Sequence, residues 1–122
     1  MGRDRPRILV VDDDAEIRRS IADVLRDEGY RVELAENGQE ALALIDRGQP
    51  PCLILLDLMM PVMDGWGVLA ALRADEDLAA IPVVIVSATG RWSRGLAAPV
   101  REVIEKPLSI DRLLAAVSRC AA

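Results

Sequence analysis

Leu53-Ile54-Leu55-Leu56-Asp57-Leu58-Met59-Met60 runs four aliphatic side chains into one carboxylate and then into a turn that is itself unusually apolar. An unbroken aliphatic run of this length suits a strand covered on both faces, as in a parallel sheet between helices. The pattern recurs on either side. Ile8-Leu9-Val10-Val11 runs into Asp12-Asp13-Asp14, and Val83-Val84-Ile85-Val86 ends in the hydroxyl of Ser87. A fourth strand-like stretch, 100–104, comes just before Lys106-Pro107, where Lys106 is the only lysine among fifteen basic residues. If these strands lie parallel, one edge of the sheet collects acids, a hydroxyl and an amine.

Apolar runs and helix-period segments alternate five times along the chain, the pattern of a doubly wound α/β fold. Strands are predicted near 7–11, 31–35, 52–57, 82–87 and 100–105. The first helix, about 15–28, places Ile17, Ile21, Val24 and Leu25 on one face, with Asp14 as its N-cap and Gly29 as its C-terminal stop. A second helix, about 38–47, carries Ala41, Leu42 and Ile45 behind Asn37 as N-cap. A third, about 65–74, turns Leu69 and Leu72 inward. The last, about 110–119, repeats Ile110, Leu113, Leu114 and Val117 behind Ser109. Residues 88–98, with Gly90, Gly95 and the polar run Arg91-Trp92-Ser93-Arg94, leave room for at most about two turns, so a shortened or irregular fourth helix is expected.

With 122 residues, 52% of them hydrophobic, the chain has the material for one domain with its own core. The expected division is a flexible N-terminus over 1–6, one domain over 7–119 and a short tail over 120–122. A net charge of −5 argues against a nucleic-acid surface, and the clustered Arg3, Arg5 and Arg7 read as a solvated tail. No apolar stretch is long enough for a membrane span, and the 8–11 run is too short for the core of a secretory signal, so a cytoplasmic protein is expected. Cys52, at the start of a predicted buried strand, and Cys120, in the tail, read as reduced thiols. The absence of histidine removes the usual zinc sites and every imidazole-base mechanism.

Ligands of open α/β sheets sit beyond the carboxyl ends of the strands, where the strand order reverses. Asp12, Asp13, Asp57, Ser87 and Lys106 all fall there. A solvated turn would explain Asp12 and Asp13 less well than a cation, because adjacent acids after a buried strand repel one another. A Mg²⁺-dependent phosphoryl site uses such a set: carboxylates for a hard cation, one carboxylate as nucleophile, and an amine and hydroxyl for phosphoryl oxygens. An ammonium is a compact cation able to exchange a carboxylate for a phosphoryl oxygen, which gives a reason for the one lysine in an arginine-rich chain.

The strings Ile8 to Asp14, Leu55-Leu56-Asp57-Leu58-Met59-Met60-Pro61-Val62-Met63-Asp64-Gly65, Ile81-Pro82-Val83-Val84-Ile85-Val86-Ser87-Ala88 and Ile104-Glu105-Lys106-Pro107 together resemble the receiver domain of two-component response regulators. The resemblance implies a flavodoxin-like five-stranded sheet in the order 2-1-3-4-5. It also implies that Asp57 accepts a phosphoryl group from the phosphohistidine of a sensor histidine kinase or phosphotransfer protein. By the same resemblance Asp12, Asp13, the Asp57 carboxylate and the backbone carbonyl of Met59 would hold Mg²⁺. Lys106 would pair with one phosphoryl oxygen and Ser87 with another, the Lys106-Pro107 bond would be cis, and Met59 and Thr89 would adjust the rate of hydrolysis. Such a protein acts on itself and signals to a downstream protein. As the chain ends after the last helix, a single-domain regulator working by protein contact or relay is expected.

Two departures bear on output. Val103 stands where receivers carry Tyr or Phe, and the segment between Ser87 and Lys106 is short, with Pro99 where a glycine is usual. Two other classes share parts of the pattern. A haloacid-dehalogenase-like phosphatase would use Asp12-Asp13-Asp14 as its Asp-x-Asp motif, but it usually has Thr or Val where this chain has Glu16. A flavodoxin-like binding module would need a hydroxyl- and glycine-rich phosphate loop where three carboxylates stand.

Overall fold

The computed structural model describes residues 6–46, 50–58, 62–87 and 100–120. Five parallel strands, β1 (Arg7–Val11), β2 (Arg31–Ala35), β3 (Leu53–Leu56), β4 (Val83–Ser87) and β5 (Val100–Glu105), form one sheet in the order β2-β1-β3-β4-β5. Among the described residues there are four α-helices, α1 (Ala15–Asp27), α2 (Gly38–Asp46), α3 (Gly65–Arg73) and α4 (Ile110–Cys120), and one 3₁₀ turn, Leu78–Ala80. Residues 1–5 of the expected flexible terminus, residues 121–122 of the expected tail, the irregular fourth helix, Thr89, Trp92, Pro99 and the Met59 carbonyl lie outside the described residues; Pro6 accepts the Arg31 N–H at 3.0 Å beside β1, and Cys120, expected in the tail, ends α4.

The central strands are aliphatic throughout because both faces are covered. Ile8, Val10, Leu53, Leu55, Val84 and Ile104 pack with Ile21 and Leu25 of α1 and Leu113 and Val117 of α4. Leu9, Val11, Ile54, Leu56, Val83 and Ile85 pack with Ala41 and Ile45 of α2 and Val68, Leu69 and Leu72 of α3. Side chains of a strand alternate between faces, so odd and even positions serve different layers. β5 departs from this count. Val100 pairs with Val83, but Val84 pairs with Glu102, leaving exposed Arg101 as an extra residue. Val100 and Val103 therefore join the same layer although three positions apart.

The predicted caps are formed. Asp14 Oδ1 accepts the N–H groups of Glu16 at 2.9 Å and Ile17 at 3.2 Å, Asn37 Oδ1 accepts that of Glu40 at 2.8 Å, and Ser109 Oγ that of Arg112 at 3.4 Å. Gly29, at φ 94°, ends α1 while Tyr30 N–H donates to Leu25 O and Gly29 N–H to Arg26 O, the paired bonds of a Schellman stop.

Two local expectations need correction. β3 begins at Leu53, so Cys52 precedes the strand; it is half-buried, its thiol donates to Arg7 O at 3.2 Å, and burial raises its pKa. Arg7 does not belong to a tail, because it opens β1 and its Nε lies 3.5 Å from Glu33 Oε1 across the sheet. Ahead of β4, Leu78–Ala80 forms the 3₁₀ turn. Asp75 Oδ1 accepts the N–H groups of Asp77 and Leu78, which starts the 3₁₀ turn, and β4 begins only after Pro82.

Candidate functional site

Asp12 and Asp57 follow β1 and β3 in step with the even positions of one and the odd positions of the other, and so continue the rows that face α1 and α4. The ladder holds both beyond the strands: Asp57 N–H donates to Val11 O at 2.9 Å and Asp12 N–H to Ala35 O at 3.1 Å. Both carboxylates are nearly enclosed, with Asp12 2% and Asp57 5% exposed. Burying two ionised acids side by side is unfavourable without compensation.

Lys106 supplies compensation. Its Nζ donates to Asp12 Oδ2 at 3.0 Å and lies 3.6 Å from Asp57 Oδ2. Lys106 N–H donates to Ser87 O at 2.7 Å, which ties the lysine to the end of β4, and the Lys106-Pro107 peptide is cis. Burial alone would lower the ammonium's pKa, but the hydrogen bond and charge of Asp12, followed by the charge of Asp57, outweigh it and hold the pKa above its ordinary value. The cation is therefore kept charged between the two acids across the neutral range.

One cation still leaves the acids in excess. Oxygen atoms of Asp12, Asp13 and Asp57 all lie within 4.8 Å of one another, with Asp13 exposed and the other two buried. Three carboxylates converging at that spacing fit a small hard divalent cation that keeps part of its water shell on the exposed side. At the end of β4, Ser87 is fully buried and its Oγ has no hydrogen-bond partner among the described residues. An orphaned buried hydroxyl carries a desolvation penalty of about 1–3 kcal/mol. Ser87→Ala is accordingly expected to raise the stability of the unmodified protein by about 1 kcal/mol, read from denaturant midpoints. A loss of that size instead would mean that the hydroxyl is satisfied in the folded state.

Sequence reasoning missed three features of this region. Arg18 Nη1 donates to the backbone carbonyl of Asp12 at 2.7 Å, although a charged side chain outside the apolar set Ile17, Ile21, Val24 and Leu25 reads in sequence as a surface residue. Gly65 is packed so closely that a Cβ there would lie 2.6 Å from Leu58 Cα and 2.7 Å from Asp57 O. Val62, between Asp57 and α3, is 76% exposed with φ 68°, a backbone region that a β-branched residue rarely occupies.

An acid triad and an ammonium meet beyond the carboxyl ends of a 2-1-3-4-5 sheet, the place where open α/β sheets bind their ligands. The chain belongs to the response regulator receiver domain family, which it matches over residues 8–118. It is 41% identical over 112 residues to the response regulator MprA of Mycolicibacterium vanbaalenii, covering 89% of this chain and 47% of that protein. The chain thus spans about half the length of the curated relatives it matches. Its fold superposes on the chemotaxis response regulator CheY4 of Vibrio cholerae with a TM-score of 0.87 at 29% identity, covering 95% of this chain and 98% of that one. The receiver domain of the Francisella response regulator 1452 gives 0.86 at 33% identity, covering 96% and 97%. The receiver match displaces the phosphatase and flavodoxin-like alternatives. None of the described helices is long and apolar enough to cross a membrane.

Proposed function

We propose that Asp57 is the phosphoacceptor of this receiver and that its donor is the phosphohistidine of a cytoplasmic sensor histidine kinase or phosphotransfer protein. The observation that carries the reading is the convergence of three carboxylates on a region already spanned by Lys106. One Asp57 oxygen forms the new O–P bond as the N–P bond of phosphohistidine breaks, and the imidazole departs with that bond's electron pair. The product is an acyl phosphate on Asp57, which water later hydrolyses to inorganic phosphate. The domain, taken as residues 7–119, thus promotes only its own modification and its reversal.

Asp12, Asp13, Asp57 and the Met59 carbonyl would hold Mg²⁺, which when bound neutralises charge on the transferring group. Lys106, already charged, passes from Asp57 to a phosphoryl oxygen without gaining or losing a proton. The Ser87 hydroxyl, which has no partner among the described residues, donates to a second phosphoryl oxygen after transfer, so part of its desolvation penalty is recovered only in the modified state. A downstream protein reads that state.

Incubation with acetyl phosphate and Mg²⁺ should add one phosphoryl group, mapped by borohydride trapping and mass spectrometry to Asp57. Chelator should prevent the addition. Modification of a different residue, or full modification in excess chelator, overturns the reading.

A further inference from the structure

We infer that Arg18 is a positioning residue for the cation site, holding the Asp12 peptide so that the Asp12 carboxylate faces Asp13 and Asp57. The inference rests on the phosphoacceptor reading above and extends it to a residue outside the acid cluster. Asp12 is held at four points. Its N–H donates to Ala35 O, its Oδ1 accepts the Asp14 N–H at 2.9 Å, its Oδ2 accepts Lys106 Nζ at 3.0 Å, and its carbonyl accepts Arg18 Nη1 at 2.7 Å. Lys106 cannot hold this orientation alone once it turns toward a phosphoryl oxygen, and the Ala35 bond fixes only one side of the peptide. The Arg18 contact is charge-assisted and partly shielded from water, the kind of hydrogen bond that holds geometry most firmly.

The location of Arg18 supports a specific role. It lies in the opening turns of α1, where the helix dipole disfavours a cation. It is half-buried, whereas the adjacent Arg19 is exposed. The rest of its guanidinium has no partner among the described residues, so its hydrogen bonding there is to the Asp12 carbonyl alone. Ala22, one turn further on, is fully buried. The stripe that carries Arg18 therefore runs into the core instead of out to solvent.

Charge and geometry predict opposite signs, which makes the inference testable. Arg18→Met removes a positive charge beside three acids; if charge were all that mattered, Mg²⁺ would bind more tightly. If Arg18 positions Asp12, binding weakens despite the lost repulsion, by about ten-fold, the lower end of the range for outer partners of metal ligands. The measurements are Mg²⁺ dissociation constants by calorimetry on wild type, Arg18→Met, Arg18→Lys and Arg19→Met. Alongside them runs amide exchange at Asp14 in Mg²⁺-free protein, which reports whether Asp12 Oδ1 keeps its place. The expected result is weakened binding and faster Asp14 exchange in Arg18→Met, partial recovery in Arg18→Lys, and neither change in Arg19→Met. Binding in Arg18→Met as tight as wild type or tighter overturns the inference and leaves the phosphoacceptor reading intact. Equal weakening in Arg19→Met overturns it as well. A wild type that binds no Mg²⁺ overturns the phosphoacceptor reading itself.

Discussion

Asp57→Asn should take up no phosphoryl group from acetyl phosphate while melting at the same temperature as the parent or above it. An amide keeps the shape of the carboxylate but offers no anionic oxygen to form the O–P bond. Stability follows from opposing terms. At 3.6 Å and an effective dielectric near 20, the attraction of Lys106 for Asp57 is about 5 kcal/mol. Against it stand repulsion from Asp12 within 4.8 Å, about 3 kcal/mol or more on the same scale, and several kcal/mol for enclosing an ionised acid. Lys106 also keeps its shorter contact with Asp12 at 3.0 Å. The unfavourable terms match or exceed the favourable one, so the variant gains up to about 1 kcal/mol, or about 3–5 °C in a domain of this size. The stabilisation conferred by added Mg²⁺ should shrink at the same time. Retained phosphorylation would move the acceptor elsewhere. A melting point lowered by about 5 °C would make Asp57 chiefly a counter-ion to Lys106.

Gly65→Ala should do the opposite of what helix propensity suggests. Gly65 is the first residue of α3, where alanine would be favoured by up to about 1 kcal/mol on propensity alone. Its φ is not in the left-handed region, so conformational freedom is not what requires glycine here. Space is the requirement. A Cβ would meet Leu58 Cα at 2.6 Å, Asp57 O at 2.7 Å and Leu58 Cδ2 at 2.7 Å, and two of those atoms belong to the backbone and cannot swing aside. Gly65 N–H also donates to Leu58 O at 3.0 Å, so α3 and the segment carrying Asp57 cannot separate without losing that bond. Overpacking of this kind costs about 3 kcal/mol, enough to lower the melting point by on the order of 10 °C. The displaced Asp57 peptide should slow phosphorylation in whatever fraction stays folded. A variant as stable as the parent would show that the α3 start moves freely away from Leu58.

What could be read from the chain and what could not divide along physical lines. Strands and helices were legible because burial on two faces demands unbroken aliphatic runs and burial on one demands helical spacing; the observed bounds fall within a residue or so of those expected. Asp12, Asp57 and Lys106 were legible as strand-end residues of a type that burial does not favour, and the structure brings the three together. Ser87 was visible only through its company; its orphaned hydroxyl is a property of packing. Arg18 was hidden because its contact is with a carbonyl, and every residue carries one of those. The role of Gly65 depends on how closely two segments approach, and composition does not record a distance. Val62 was hidden for the opposite reason: nothing about a valine announces a positive φ.

The extra residue in β5 acts as slack. Had Arg101 paired in regular order with Val84, every later position would slip by one. Glu102 would then turn into the aliphatic layer beside Ile85, Val103 and Ile104 would exchange layers, and Lys106 would point away from Asp12. Pushing Arg101 out to solvent lets the half of β5 that ends in Lys106 take its register from Val103 and Ile104, independently of where the strand begins. The placement of the lysine is thereby insulated from the length of chain that precedes it, and this receiver can alter its short segment before β5 without disturbing its chemistry.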